Sequence, residues 1–256
     1  MTNKPVFLAV LLGAIALSAC GDNAVQVITK PAPSARVKFF NFGVNAPGVN
    51  FYANAAKITA VSSTTGIEST TGTIYGGVGS GGYYAGIDPG QYTFTGKIAA
   101  AVDKDLTVST VTSTIASGKA YSVFLSGFYD AAGKTVEGFV VEDPLPAMDY
   151  NVAYVRFVNA ISNSNAMTLY AKNTTTLAEV PLGAAVAYKG AGAFVSVPVA
   201  VYDLGARVAG ASANTISRTA VSFVAGRVYT VGARGDITIT STTATNRSFL
   251  DNTANR

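Results

Sequence analysis

Ala35-Arg36-Val37-Lys38-Phe39-Phe40-Asn41-Phe42 is the stretch whose reading decides the fold. Val37, Phe39 and Asn41 alternate with Lys38, Phe40 and Phe42. A period of two predicts a strand with one strongly apolar side and one amphipathic side. The same pattern returns 118 residues later as Ala153-Tyr154-Val155-Arg156-Phe157-Val158-Asn159-Ala160.

Further matches follow in the same order. Phe51-Tyr52-Ala53 corresponds to Leu169-Tyr170-Ala171 at the same offset, and Gly90-Gln91-Tyr92 to Ala200-Val201-Tyr202 at 110. Ala116-Ser117-Gly118-Lys119-Ala120-Tyr121-Ser122-Val123 corresponds to Val224-Ala225-Gly226-Arg227-Val228-Tyr229-Thr230-Val231 at 108. Offsets that fall steadily, as loop deletions would make them do, indicate two copies of one domain. Strand-like segments separated by turn signals, without a convincing helical period, predict an all-β chain of two tandem β-sandwich, immunoglobulin-like domains. The first covers residues 35–143 and the second residues 153–256. Between them, residues 144–152 read as a linker, because Pro144 and Pro146 deny backbone donors to any ladder.

The Ala-Arg-Val-Lys-Phe-Phe-Asn opening, the Pro/Gly turn before Val49-Asn50-Phe51-Tyr52, the Pro89-Gly90-Gln91-Tyr92 turn and Gly118-Lys119-Ala120-Tyr121 together carry a family resemblance. The chain resembles the bacterial family labelled domain of unknown function 4397, more closely in its first copy than in its second. The resemblance implies an exported or lipid-anchored β protein, often in tandem copies. It brings no activity and no catalytic residue.

The beginning of the chain addresses its location. Val6 to Leu17 is an apolar run behind Lys4, too short for a bilayer span of about 20 apolar residues, and it reads as a signal peptide over residues 1–19. Leu17-Ser18-Ala19-Cys20 resembles the lipobox of bacterial lipoproteins, in which the cysteine receives a lipid and becomes the mature amino terminus. Cys20 is the single cysteine of the chain, and an odd cysteine in an exported protein calls for a role other than a disulfide. Residues 20–34, with Pro31 and Pro33, then form a lipidated tether that reaches roughly 45 Å at about 3.3 Å per extended residue. Gly21 in place of Asp leaves out the inner-membrane retention signal, which favours an outer-membrane lipoprotein of the cell envelope. Its first partner is the membrane, through the lipid on Cys20.

Composition narrows the chemistry. The 256 residues contain no histidine, which removes Ser-His-Asp and Cys-His catalysis and the usual zinc, copper, haem and iron–sulfur ligand sets. The formal charge of +4 is spread singly along the chain, so no nucleic-acid patch is expected. No cofactor is implied. Asp103-Lys104-Asp105 and the set Glu142, Asp143 and Asp149 lack calcium-loop spacing and read as solvated turns. Gly77-Val78-Gly79-Ser80-Gly81-Gly82 fits G-x-G-x-x-G in form only, because a strand candidate follows it instead of a helix.

That glycine stretch is nevertheless the one candidate contact site. Gly76, Gly77, Gly79, Gly81 and Gly82 precede Tyr83 and Tyr84, and tyrosine supplies stacking area and a hydroxyl at low entropic cost. The bland reading makes the segment a hairpin loop with one tyrosine inward and one outward. The sequence reading is therefore a lipid-anchored, non-catalytic binding, adhesion or structural module of the envelope, with an envelope protein or a glycan as partner. The alternatives are a carboxylate-dependent enzyme acting on envelope glycans, or a lipoprotein subunit of an envelope assembly.

Overall fold

The computed structural model describes residues 32–59 and 70–256. The signal peptide over 1–19, Cys20 and most of the 20–34 tether lie outside the described residues. The remainder, from Pro33 to Arg256, forms one compact unit. It is all β.

The first half contains β1 (Ala35–Asn41), β2 (Val49–Ala53), β3 (Ala56–Lys57), β4 (Gly77–Val78), β5 (Ala85–Ile87), β6 (Gly90–Ile98), β7 (Thr107–Ile115), β8 (Ala120–Asp130) and β9 (Thr135–Glu142). One sheet has the order β4-β1-β8-β9, with β5 also on β1, and the other has the order β3-β2-β6-β7. β1 and β8 run parallel, Arg36 beside Ala120 and Asn41 beside Leu125. The two sheets face each other through the inward positions predicted by alternation. Val37, Phe39, Val123 and Leu125 of one sheet meet Val49, Phe51 and Phe94 of the other. Phe39 stacks on Phe51 with ring centres 4.9 Å apart. This is the inner layer of a sandwich.

The second half contains β10 (Val152–Asn159), β11 (Met167–Asn173), β12 (Glu179–Pro181), β13 (Gly190–Ala191), β14 (Val195–Pro198), β15 (Ala200–Val208), β16 (Ile216–Phe223), β17 (Val228–Arg234) and β18 (Phe249–Ala254). Its sheets have the orders β13-β10-β17-β18, with β14 also on β10, and β12-β11-β15-β16. Every described strand of the first half has a counterpart in the second. The register corresponds as well: Arg36 pairs with Ala120, and Tyr154 pairs with Val228. These are the positions that the offsets of 118 and 108 place in correspondence. The core of the second half is built from Val155, Phe157, Val231, Leu169, Leu204 and Phe223. Aliphatic residues stand at Leu169 and Leu204 where the first half has phenylalanines. Each half has nine described strands, and two-residue strands such as β3 and β4 are too short to show a period in the sequence.

The outward face of β1 departs further from expectation. Lys38, Phe40 and Phe42 are all buried, because the outer face of the β1–β8–β9 sheet packs against the outer face of the β10–β17–β18 sheet. Phe40, Phe42, Phe124 and Phe139 of the first half join Val158 and Ala160 of the second in a separate apolar cluster. The Phe42 ring lies close over β17: a Cβ on Gly232 would be 2.6 Å from it, so only glycine fits against it. The halves are joined along a seam.

Candidate functional site

The seam is built from corresponding positions of the two halves. Lys38 on β1 and Arg156 on β10 occupy the same strand position, and both are fully buried. A buried cation is costly unless it is paired and hydrogen-bonded. Each finds its partner in the other half. Arg156 forms an ion pair with Asp143, which follows β9, and donates from Nη1 to Glu142 O at 3.0 Å. Lys38 Nζ donates to Ala254 O at 2.8 Å and to Asn255 Oδ1 at 3.1 Å. Asp143 and Asn255 correspond, since their N–H groups donate to the equivalent carbonyls of Ala120 and Val228, each at 2.7 Å.

The aromatic neighbours correspond in the same way. Lys38 Nζ lies 4.4 Å from the centre of the Tyr84 ring, and the Arg156 guanidinium lies 4.8 Å from the Phe194 ring. Both are cation–π distances. At the other end of the seam Tyr188 OH lies 2.9 Å from Ser126 Oγ, and the Arg234 guanidinium lies 4.6 Å from the Tyr75 ring. Those pairs correspond too. The seam is thus isologous in pattern, like the two-fold interface of a homodimer, with both copies on one chain.

The correspondence is broken in charge. Two cations face one carboxylate, because Asn255 stands where the other half has Asp143. Asp143 Oδ2 accepts from Tyr84 OH at 2.5 Å and from Ser122 Oγ at 2.7 Å. Thr230 Oγ1, the counterpart of Ser122, accepts from Arg156 Nε at 3.0 Å and from Asn255 Nδ2 at 2.7 Å. Burial lowers the Lys38 ammonium to about 8 against the opposing pull of Asp143, with Arg156 adding to the depression. Burial, and then the charge of Asp143, push Tyr84 above the usual tyrosine range. Tyr188 is likewise raised, chiefly by burial.

A pH dependence follows from these shifts. Folded Lys38 releases its proton near pH 8, whereas in the unfolded chain it keeps it to the ordinary value of 10.5. Between those values the unfolded chain binds more protons, so stability rises with pH. Above about pH 10 the unfolded chain loses tyrosine protons that Tyr84 and Tyr188 retain when folded, and stability falls again. Urea unfolding across pH 7 to 10 therefore shows a rise that Lys38→Met flattens, and an identical slope in that variant would contradict the assignment.

Beside the seam lies an open cleft of about 570 Å³ lined by Arg36, Gly81, Gly82, Tyr83, Tyr84, Arg227 and Arg256, with Asn252 to Asn255 as its floor. Part of the predicted glycine segment is therefore at a cavity, and part is structural. Gly77 and Val78 pair with Asn41 and Phe40 of β1, and Gly79 is buried. Gly76 has a φ of +77°, and a Cβ there would meet the Arg234 guanidinium at 2.8 Å. Gly81 and Gly82 reach the cleft wall. Tyr83 is 79% exposed at the rim, whereas Tyr84 is held in the seam by Asp143.

The carboxylates considered from sequence are dispersed among different partners. Asp103 pairs with Lys134 at 2.6 Å, Asp105 accepts from Tyr52 OH at 3.2 Å, and Asp149 accepts from Asn151 N at 2.9 Å. Glu142 pairs with Lys119 at 2.5 Å. Asp143 overturns the expectation of a solvated turn, being 2% exposed. The physical reason is the buried guanidinium of Arg156, which has to be neutralised. Sequence reasoning missed Lys38, Arg156, Asn255 and the three arginines of the cleft. The available signal was a cation at the same position of both copies, set among phenylalanines.

No curated protein matches the chain. Among solved structures, it is similar to a crystal structure of a "putative cell adhesion protein" from Bacteroides ovatus at 8% identity, covering 89% of this chain and 97% of that one. The TM-score is 0.24, a level at which the likeness carries no argument. A family model described as Domain of unknown function (DUF4397) matches residues 35–160. That span contains all of β1 to β9 together with β10, so the first sandwich is similar to this family.

Proposed function

We propose that the protein is a lipid-anchored, non-catalytic binding or adhesion module of the cell envelope, in which two sandwiches locked into one body are presented on a tether from the outer membrane. The observation that carries this reading is the use made of Asp143. The most deeply buried carboxylate of the described chain is committed to Arg156, Tyr84 and Ser122, and so holds the halves together. A general acid or base would need to face its substrate with a free oxygen. Asp251, also largely buried, is engaged similarly by Arg234.

Anchoring rests on Cys20. Acyl chains at about 0.8 kcal/mol per buried CH₂ hold a protein stably once two or more are attached, and among the described residues no helix is long and apolar enough to cross a membrane. Cys20→Ser is expected to abolish incorporation of labelled palmitate and to shift the protein from the membrane pellet to the soluble fraction. A serine variant that still pellets after a high-salt wash would remove the anchor from this account. A glycan array probed with the full chain tests the binding role, and turnover of any arrayed glycan would contradict the non-catalytic one.

A further inference from the structure

The cleft beside the seam has an internal control in its counterpart across the correspondence. There, Tyr154 stands in place of Arg36, Ala193 in place of Tyr83, and Lys119 in place of Arg227. Lys119 is neutralised by Glu142 at 2.5 Å, but the residue corresponding to Glu142 is Ala254. Arg227 therefore has no acid at that position. The connection over residues 79–84 between β4 and β5 is also longer than that over residues 192–194 between β13 and β14, and the added length forms the cleft wall. The seam itself closes without any of these features at the corresponding position.

The chemistry left over points to an anion. Among the described residues, Arg36, Arg227 and Arg256 form no ion pair, and no carboxylate side chain lines the cleft. Arg256 donates to Pro146 O at 2.5 Å through Nη2, while its Nε is buried without a hydrogen-bond partner.

We propose that this cleft binds a carboxylated saccharide. The arginine forks match a carboxylate in geometry, and the exposed ring of Tyr83 offers a face for the pyranose. A volume of about 570 Å³ lies within the range of small-ligand sites. The inference deepens the binding role proposed above and rests on it.

The test is calorimetric titration of the full-length protein in detergent with digalacturonate, with neutral galactobiose and inorganic phosphate as separate arms. Digalacturonate is expected to bind with an affinity that falls as salt rises, and galactobiose is expected not to bind. Arg36→Ala and Arg227→Ala, both at exposed residues, each weaken digalacturonate by about tenfold or more. Tyr83→Ala weakens the saccharide at unchanged melting temperature. Absence of digalacturonate binding at about 10 mM, equal binding of galactobiose, phosphate bound as tightly as the saccharide, or arginine variants that bind normally would each overturn the assignment. Digalacturonate that is bound and then cleaved would instead contradict the non-catalytic reading and leave the site standing. Failure to bind leaves the anchored module to the Cys20→Ser experiment.

Discussion

Asp143→Ala lowers the stability of the whole protein by about 3–5 kcal/mol, the usual consequence of removing one partner of a buried ion pair. Arg156 is fully buried, and the substitution leaves its guanidinium with Thr230 Oγ1 and Glu142 O but without a counter-charge. Lys38, already depressed by burial and by Arg156, loses the one charge that favours its protonated form. Tyr84 OH and Ser122 Oγ lose their acceptor as well. Chemical denaturation of the variant measures the loss. Asp143→Asn should recover part of it, since an amide oxygen still accepts from Arg156, as Asn255 accepts from Lys38 in the other half. An Asp143→Ala protein as stable as the parent would mean that the seam is open in solution.

Phe124→Ala is expected to cost a similar amount, about 3–5 kcal/mol, but for a different physical reason. Phe124 is wholly buried and lies between Phe40 at 4.4 Å and Phe139 at 4.9 Å, both nearly parallel to it. Phe42 covers its edge at 5.6 Å. Truncation opens a cavity that the paired sheets on either side cannot collapse into, because β8 is held in register by both β1 and β9. Equilibrium unfolding of the variant reads the loss directly. Because the ring belongs to the seam cluster and not to the inner core of the first sandwich, the variant should also let the halves separate more readily. By contrast, Tyr83→Ala, at the exposed rim of the cleft, should leave stability within about 0.5 kcal/mol of the parent.

Much of the fold is readable from particular residues. Val37, Phe39 and Asn41 alternate with Lys38, Phe40 and Phe42, and the recurrence of that pattern at Val155 to Ala160 locates the equivalent strand. The sequence offsets even reproduce the parallel register of β1 with β8 and of β10 with β17. The seam is less legible, because a strand with Lys38 between two apolar neighbours reads as half-solvated when each copy is considered alone. Only the fact that Arg156 falls at the same position shows that the charged face is itself a contact surface. Asp143 was obscured by its neighbours: a carboxylate before Pro144 has the composition of a loop, and nothing local reveals a guanidinium waiting from the next strand.

The glycine segment was misleading in part for a similar reason. Two-residue β4 carries no periodicity, so the pairing of Gly77 and Val78 with β1 cannot be seen in the pattern. The rim position of Tyr83 and the inward position of Tyr84 correspond to the bland reading of one tyrosine out and one in. The cleft beside them is assembled by Arg227 and Arg256 from the far end of the chain, which no local reading brings to Gly81 and Gly82.

The central claim is that the two sandwiches form one body through buried, corresponding contacts. Differential scanning calorimetry of the full chain at neutral pH tests it most directly. The account predicts a single transition whose calorimetric and van't Hoff enthalpies agree. Two resolved transitions, each carrying about half of the heat, would contradict it.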